Sequence, residues 1–285
     1  MTEKSILFAT DFESAAAQAQ DELVRVAKAF HASVYVMTAL PSALRTWVSS
    51  GLLERQALER VEAWVQELEA AGVRASALPV VRGNAAEAIA ETAERTHIDL
   101  IFVGASNKGT LERLMIGSTA EAVARCAFQP VWMSRPRQDT IERVVVGVDG
   151  SDASRVAIED GYAIADRTGA MVSLVAAIEN PDLNPLGMTV AEEEAENSKF
   201  RAAHEDEIRK FVQRVAPAHP DDVHFFWGAP SEVLATFARD QQADVLVIGR
   251  WGEGGIRRVL LGGTAERTLR VCPCSLVITG APRSG

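Results

Sequence analysis

The stretch Asp99-Leu-Ile-Phe-Val-Gly104, a short apolar run between an aspartate and a glycine, decides the fold of this chain. Its pattern returns at Asp244-Val-Leu-Val-Ile-Gly249, 145 residues later (249 − 104). The same separation holds for residues that follow, which pair Gly117 with Gly262, Glu121 with Glu266 and Arg125 with Arg270. A constant spacing across such different residue types indicates a duplicated unit. The chain is therefore interpreted as two copies of one domain, residues 1–137 and 138–285.

Apolar runs and helix-like segments alternate along both copies. A run that is apolar throughout and ends on a polar residue or a glycine is typical of a strand covered on both faces. Such runs begin the copies at residues 5–10 and 143–148, and a third strand of the first copy is expected over residues 75–81. Strand alternating with helix predicts parallel pairing with right-handed crossovers. We therefore expect an α/β fold with two doubly wound domains in tandem, each a five-stranded parallel sheet of flavodoxin-like or Rossmann-like type.

The junction between the copies predicts that they pack against each other. Residues 135–139 form a short polar linker, which gives two domains little freedom to swing. The last predicted strands, residues 131–133 and 276–279, offer edges that can pair with each other within the chain. We expect the two domains to form a pseudo-dimer.

Composition and charge exclude several classes of protein. The formal net charge of −10 over 285 residues argues against a broad nucleic-acid-binding surface. The apolar runs are shorter than a membrane span requires and the first residues lack a signal-peptide pattern, so we expect a soluble cytoplasmic protein. The three cysteines, Cys126, Cys272 and Cys274, are too few for a disulfide framework or a closed zinc site. We expect them to be buried thiols and expect no metal site.

The ends of the first and fourth strands predict a ligand site in each copy. In an open parallel sheet, ligands bind beyond the carboxyl ends of the strands, where the winding reverses. Asp11 and Asp149 follow the first strands, and Gly104 and Gly249 end the fourth strands. A carboxylate accepts hydrogen bonds from ribose hydroxyls, and backbone amides free of side chains bind phosphate. The combination predicts a nucleotide site, with helix capping as the alternative role for the aspartates.

Glycine-rich loops follow the fourth strand in both copies and lead into a helix. Glycine lets the main chain approach a phosphate, and hydroxyls near a helix N-terminus add donors where the helix dipole favours an anion. The candidate phosphate-binding residues are Gly104, Asn107, Gly117, Ser118 and Thr119 in the first copy, and Gly249, Gly252, Gly262, Gly263 and Thr264 in the second.

The spacing Gly-x2-Gly-x9-Gly-[Ser/Thr] after a hydrophobic strand, together with the early aspartate, resembles the universal stress protein family. The resemblance covers nearly the whole chain, twice, and includes the helix that begins Thr-Ala-Glu in each copy. It implies a five-stranded α/β fold, binding of an adenine nucleotide in one subclass, and pairing of domains through the last strand. The expected ligand is ATP, ADP or AMP, with Mg2+ as an accompanying ion. We also expect a homo-oligomer, a dimer of two-domain chains.

The resemblance assigns adenine and ribose contacts to the residues that end strands two and one, namely Ala39 and Ala177 for adenine and Asp11 and Asp149 for ribose. Each copy departs from the family pattern at one position. Asn107 stands where the ATP binders have glycine, and Gly263 stands where serine or threonine is expected. We expect at least one working nucleotide site and favour the second copy, because its spacing glycines are all present.

Three functions fit these observations. The first is a stress-response protein that binds a nucleotide and acts as a signalling or protective module. The second is an interaction protein with degenerate sites, and the third is an enzyme that hydrolyses ATP or transfers a nucleotidyl group. An enzyme of this third kind would require a Ser-Gly-Gly loop after the first strand, whereas the chain has Thr10-Asp-Phe-Glu13 there. No catalytic motif of the Gly-x-Ser-x-Gly or Walker type is present, so we expect no catalytic residues and at most weak ATP hydrolysis.

Overall fold

The computed structural model describes residues 4–12, 14–41, 50–105, 117–135, 138–179, 189–219, 223–251 and 261–280. Within these ranges, ten strands form one continuous sheet. Helices cover both faces of it: those of residues 14–30, 50–70, 152–168 and 190–215 pack on one face, and those of residues 85–95, 118–126, 230–240 and 263–271 pack on the other. The α/β fold with two domains in tandem, expected from the sequence, is confirmed.

The elements of the first half are, in chain order, β1 (Ser5–Ala9), α1 (Ser14–Phe30), β2 (Ser33–Met37), β3 (Ala39–Leu40), α2 (Ser50–Ala70), β4 (Ala75–Ala77), β5 (Val81–Arg82), α3 (Ala85–Arg95), β6 (Leu100–Gly104), α4 (Ser118–Cys126) and β7 (Val131–Ser134). Those of the second half are β8 (Arg143–Val148), α5 (Asp152–Thr168), β9 (Met171–Ile178), α6 (Val190–Val215), β10 (Val223–Trp227), α7 (Pro230–Asp240), β11 (Val245–Ile248), α8 (Gly263–Val271) and β12 (Ser275–Ile278).

The strand order places a ligand crevice beside the first strand of each half. Along the sheet the strands run β10-β9-β8-β11-β12-β7-β6-β1-β2-β4. Within each half this is the order three-two-one-four-five, which is the Rossmann-like of the two expected arrangements. β1 pairs in parallel with β2 and β6, and β8 pairs in parallel with β9 and β11. The winding therefore reverses between strands one and four, as the site prediction requires.

The third strand of the first half is shorter than the segment 75–81 that was expected. β4 pairs with β2 on the edge of the large sheet, whereas β5 pairs with β3 in a separate two-stranded sheet. Pro79 lies between them and has no N–H to donate to a strand ladder, so the pairing ends there.

The two halves are joined by antiparallel pairing of their last strands. Trp132 of β7 lies opposite Val277 of β12, and both side chains are buried. The pairing of these edges within the chain was expected from the sequence and is confirmed. Because β7 and β12 now lie in the interior of the sheet, neither is available to pair with a second chain. The expected dimer of two-domain chains remains a prediction and would use other surfaces.

No helix in the described parts of the chain is long and apolar enough to span a membrane.

Candidate functional site

A cleft opens at the carboxyl ends of β8 and β11, between α7 and the N-terminus of α8. Its volume is about 390 Å3, within the usual range of small-molecule sites. It is lined by every residue of the second-half prediction that the structure describes, namely Asp149, Ala177, Gly249, Gly262, Gly263 and Thr264. The remaining predicted residue of this half, Gly252, lies outside the described residues.

Asp149 is an exposed carboxylate on the cleft wall, directly after β8. Its Oδ1 accepts a hydrogen bond from the Ser151 backbone N–H at 3.0 Å. The cap of α5 is Ser151 instead, whose side chain accepts from the Ser154 N–H at 3.1 Å. Gly150, between them, adopts the left-handed region at φ +82°, which turns the chain sharply. Among the described residues, Asp149 Oδ2 has no hydrogen-bond partner, so that oxygen can accept further hydrogen bonds.

The N-terminus of α8 places backbone N–H groups at one end of the cleft. Gly262 is its N-cap residue and supplies no side-chain cap. The Gly262 carbonyl accepts from the Glu266 N–H at 2.9 Å, which closes the first turn. The amides of that first turn have no side-chain partner among the described residues, and the helix dipole favours an anion there.

Gly249 and Gly263 line the same cleft for different physical reasons. A Cβ on Gly249 would lie 2.9 Å from the Cβ of Ala153 and 3.0 Å from its carbonyl carbon, so β11 and α5 pack too closely for a side chain. A Cβ on Gly263 would meet only the guanidinium of Arg267, at 3.7 Å or more. Glycine is therefore required at 249 by packing, whereas position 263 has space.

Two arginines on the cleft wall were not predicted from the sequence. Arg267 lies one turn into α8 with an exposed side chain, and Arg250 follows Gly249 and is 2% exposed. Arg250 reaches into the first half, where Nη1 donates to the Ala124 carbonyl and Nη2 donates to the Gln129 carbonyl at 3.0 Å. Burial lowers the pKa of Arg250 to about 10. Neither arginine has a counterpart in the first copy, so neither belongs to the repeated pattern that indicated the other site residues.

The candidate residues of the first half lie at the equivalent edge of the sheet. Asp11 is exposed after β1, Gly104 ends the neighbouring β6, and Gly117 is the N-cap residue of α4, again without a side-chain cap. Ser118 and Thr119 are exposed in the first turn of α4. Ala39 lies half-buried in β3, and Asn107 is outside the described residues.

The turn after β1 differs from its counterpart in the second half. Phe12 occupies the position of Gly150 and adopts a left-handed backbone at φ +63°, which is unusual for a large side chain. The guanidinium of Arg60 lies 4.1 Å from the Phe12 ring centre and donates to the Phe12 carbonyl at 3.3 Å. Contacts from α2 therefore hold this strained turn.

Several repeated residues have structural roles instead of lining a cleft. The Asp99 carboxylate accepts from the Ser5 N–H at 3.0 Å, and Asp244 accepts from the Arg143 N–H at 3.0 Å. Each aspartate ties the start of a fourth strand to the start of a first strand. The repeated glutamate and arginine of the last helices form ion pairs between the halves and belong to their interface.

The cysteines are largely as expected. Cys272 and Cys274 are buried and their sulfur atoms lie 3.9 Å apart, whereas Cys126 is half-buried. Within the described ranges, no group of three or more histidine, cysteine, aspartate or glutamate side chains could hold a metal ion.

Comparison with known proteins agrees with this architecture. The family model described as the universal stress protein family matches residues 3–135 and again residues 140–280. A curated universal stress protein of Methanocaldococcus jannaschii is 31% identical over 136 residues, which cover 45% of this chain and 79% of that protein. A universal stress protein of Archaeoglobus fulgidus, known from its crystal structure, superposes with a TM-score of 0.73 at 19% identity, covering 98% of this chain and 99% of that one.

A putative universal stress protein of Pseudomonas aeruginosa superposes with a TM-score of 0.71 at 18% identity, over 98% of this chain and 93% of that one. These two likenesses concern the fold of the whole two-domain chain. The family model covers both halves, and it is this double match that fixes the assignment: the chain belongs to the universal stress protein family, with two of its domains in tandem.

Proposed function

We propose that this universal stress protein binds an adenine nucleotide, ATP, ADP or AMP, in the cleft of its second half and acts as a signalling or protective module. One observation carries the proposal. A carboxylate with an unpartnered oxygen, Asp149, lines the same cleft of about 390 Å3 as the uncapped N-terminus of α8. A nucleotide needs both a hydrogen-bond acceptor for its ribose hydroxyls and donors for its phosphates.

The remaining parts of a nucleotide have matching surfaces. Ala177 at the carboxyl end of β9 and Leu234 of α7 give the cleft an apolar wall on which adenine can lie. The first-turn amides of α8 and the hydroxyl of Thr264, which lines the cleft, are donors to which phosphates would bind. Asp149 is the one carboxylate among the described lining residues, so a Mg2+ ion would be held mainly by phosphate and water oxygens.

The cleft is connected to the first half, which suits a module that reports on its ligand. Arg250 lies on the cleft wall. Its guanidinium donates to the carbonyl of Ala124 within α4 and to the carbonyl of Gln129, which follows the C-terminal end of that helix. A ligand that binds more tightly when these two contacts are kept would favour the arrangement that has them by its differential affinity. Binding in the second half would in this way be coupled to the first.

The experiment is isothermal titration of the full chain with ATP, ADP and AMP, repeated on Ala177→Trp and Ala39→Trp. Ala177 lies near the carboxyl end of β9 and lines the cleft, and Ala39 lies at the equivalent position of the first half, in β3 just after β2. Both alanines are half-buried, so Ala177→Trp fills the second-half cleft and Ala39→Trp is the matched change in the first half. Thermal unfolding of each variant checks that it folds.

We expect heat of binding in the wild type and in Ala39→Trp, and its loss in Ala177→Trp. Heat lost only in Ala39→Trp would place the ligand in the first half and contradict the proposed site. No heat in the wild type would reject nucleotide binding and favour an interaction protein with degenerate sites. That alternative is supported by the use of the repeated glutamates and arginines in the interface between the halves.

A further inference from the structure

The last helices of the two halves differ at two positions that lie one turn apart. The first half has Ser118 and Ala122 in α4, and the second half has Gly263 and Arg267 at the equivalent positions of α8, 145 residues later. Compared with the first half, the second half lacks the Ser118 hydroxyl at the helix N-terminus and has a cation one turn further along.

The geometry brings these two changes to the same place. Side chains on a helix point back toward its N-terminus, so a residue at i+4 lies over residue i. A Cβ built on Gly263 would lie 3.7 Å from Nη1, 3.9 Å from Nη2 and 4.0 Å from Cζ of Arg267. The guanidinium thus lies against the first turn of α8, beside the space that a side chain at 263 would occupy.

The charges of the cleft leave Arg267 as the cation for an incoming anion. The described lining residues carry Asp149, Arg250 and Arg267 as their charged groups. The guanidinium of Arg250 is buried and bound to carbonyls of the first half. Within the described ranges, Arg267 has no carboxylate within ion-pair distance, and its guanidinium lies at the positively charged N-terminal end of its own helix. A phosphate at that N-terminus would relieve the repulsion between the two.

We propose that Arg267 is a phosphate-binding residue of the second-half cleft, taking the place of the hydroxyl that position 263 lacks. The inference rests on the proposed nucleotide site and adds the residue that sets its preference among nucleotides. A guanidinium offers paired donors and a full charge, whereas a hydroxyl offers a single neutral donor. The second half should therefore prefer ATP to AMP, and this preference should weaken as salt screens the charge.

The test titrates ATP, AMP and adenosine into the Ala39→Trp chain, in which the candidate site of the first half is obstructed, with and without Arg267→Ala. We expect Arg267→Ala to weaken ATP binding about tenfold or more, the usual loss for a charge-assisted hydrogen bond, and to leave adenosine binding unchanged. The salt dependence of ATP affinity should fall in the same variant. Arg239→Ala, at an exposed arginine in the last turn of α7 that does not line the cleft, controls for the change in net charge.

A rescue variant separates contact with phosphate from a merely structural role. Gly263→Ser combined with Arg267→Ala should recover part of the ATP affinity, because position 263 has room for the hydroxyl. Equal ATP affinity with and without Arg267 would overturn this inference and leave the nucleotide site standing. Absence of ATP binding in the Ala39→Trp chain, with binding in the wild type, would overturn it as well. Absence of binding in the wild type would remove the proposed function itself.

Discussion

Arg125 of the first half forms an ion pair with Glu266 of the second half, with Nη2 and Oε1 2.7 Å apart. The reciprocal contact joins Arg270 to Glu121 at 3.2 Å, and each arginine also pairs with the glutamate one turn earlier in its own helix. The four residues come from equivalent positions of the two copies. The presence of the same glutamate and arginine in both copies is therefore explained by a contact between α4 and α8.

A double-mutant cycle on Arg125→Met and Glu266→Gln should give a coupling free energy of about 0.2–1 kcal/mol, the range of partly exposed ion pairs. The two side chains are 37% and 30% exposed, so the coupling should shrink at high salt. Urea unfolding of the four proteins at low and high salt measures it. A coupling that does not respond to salt would contradict the electrostatic explanation.

The two cleft glycines should respond in opposite ways to the same substitution. Gly249→Ala places a methyl group 2.9 Å from the Cβ of Ala153 and 3.0 Å from its carbonyl carbon, and should destabilise the fold by about 1–3 kcal/mol. Gly263→Ala meets nothing closer than 3.7 Å and lies in the first turn of α8, where alanine should be neutral or stabilising by up to about 1 kcal/mol. Chemical denaturation of both variants compares them directly, and equal losses would show that the packing argument fails.

The repeat predicted the fold well because strand periodicity and glycine spacing are local signals. It predicted both the parallel halves and the pairing of β7 with β12, since exposed strand edges are visible in the order of elements. It could not separate Gly249, fixed by contact with Ala153, from Gly263, which has open space, because that contact joins residues about 100 positions apart. Arg250 and Arg267 could not be predicted from the repeat either, since a residue present in one copy alone leaves no repeated pattern.

Arg250 provides a separate test of the contact between the cleft loop and the first half. Arg250→Met removes the donors to the buried carbonyl of Ala124 and to the partly buried carbonyl of Gln129. We expect a loss of about 1–3 kcal/mol in the free energy of unfolding. Arg250→Lys keeps the charge but loses the planar fork that reaches two carbonyls, so it should recover only part of the loss. Full recovery by lysine, measured by urea unfolding, would show that charge alone matters.

Glu22 and Asp160 occupy equivalent positions in α1 and α5, each 11 residues after the aspartate that follows the first strand (22 − 11 and 160 − 149). The Glu22 carboxylate is buried and accepts from Trp132 at 3.3 Å, from Ser275 at 2.9 Å and from Ser134. Asp160 is one carbon shorter, and among the described residues its buried Oδ2 has no hydrogen-bond partner. It lines a cavity of about 180 Å3 between the halves.

The cavity makes Asp160 a source of pH-dependent instability. Burial, with a smaller contribution from Glu159 and an opposing one from Lys4, raises the pKa of Asp160 from 3.8 to about 6. A raised carboxyl pKa means that the folded state binds the proton more tightly, so this stabilisation is complete below pH 3.8 and is lost as pH rises through 6.

Asp160→Asn has no proton to lose, and its stability relative to the wild type should increase across that window and then level off. Thermal unfolding from pH 4 to pH 8 measures the difference, with Asp166→Asn on the exposed side of the same helix as the control for net charge. A difference that stays constant across these pH values would mean that Asp160 is not protonated preferentially in the folded protein.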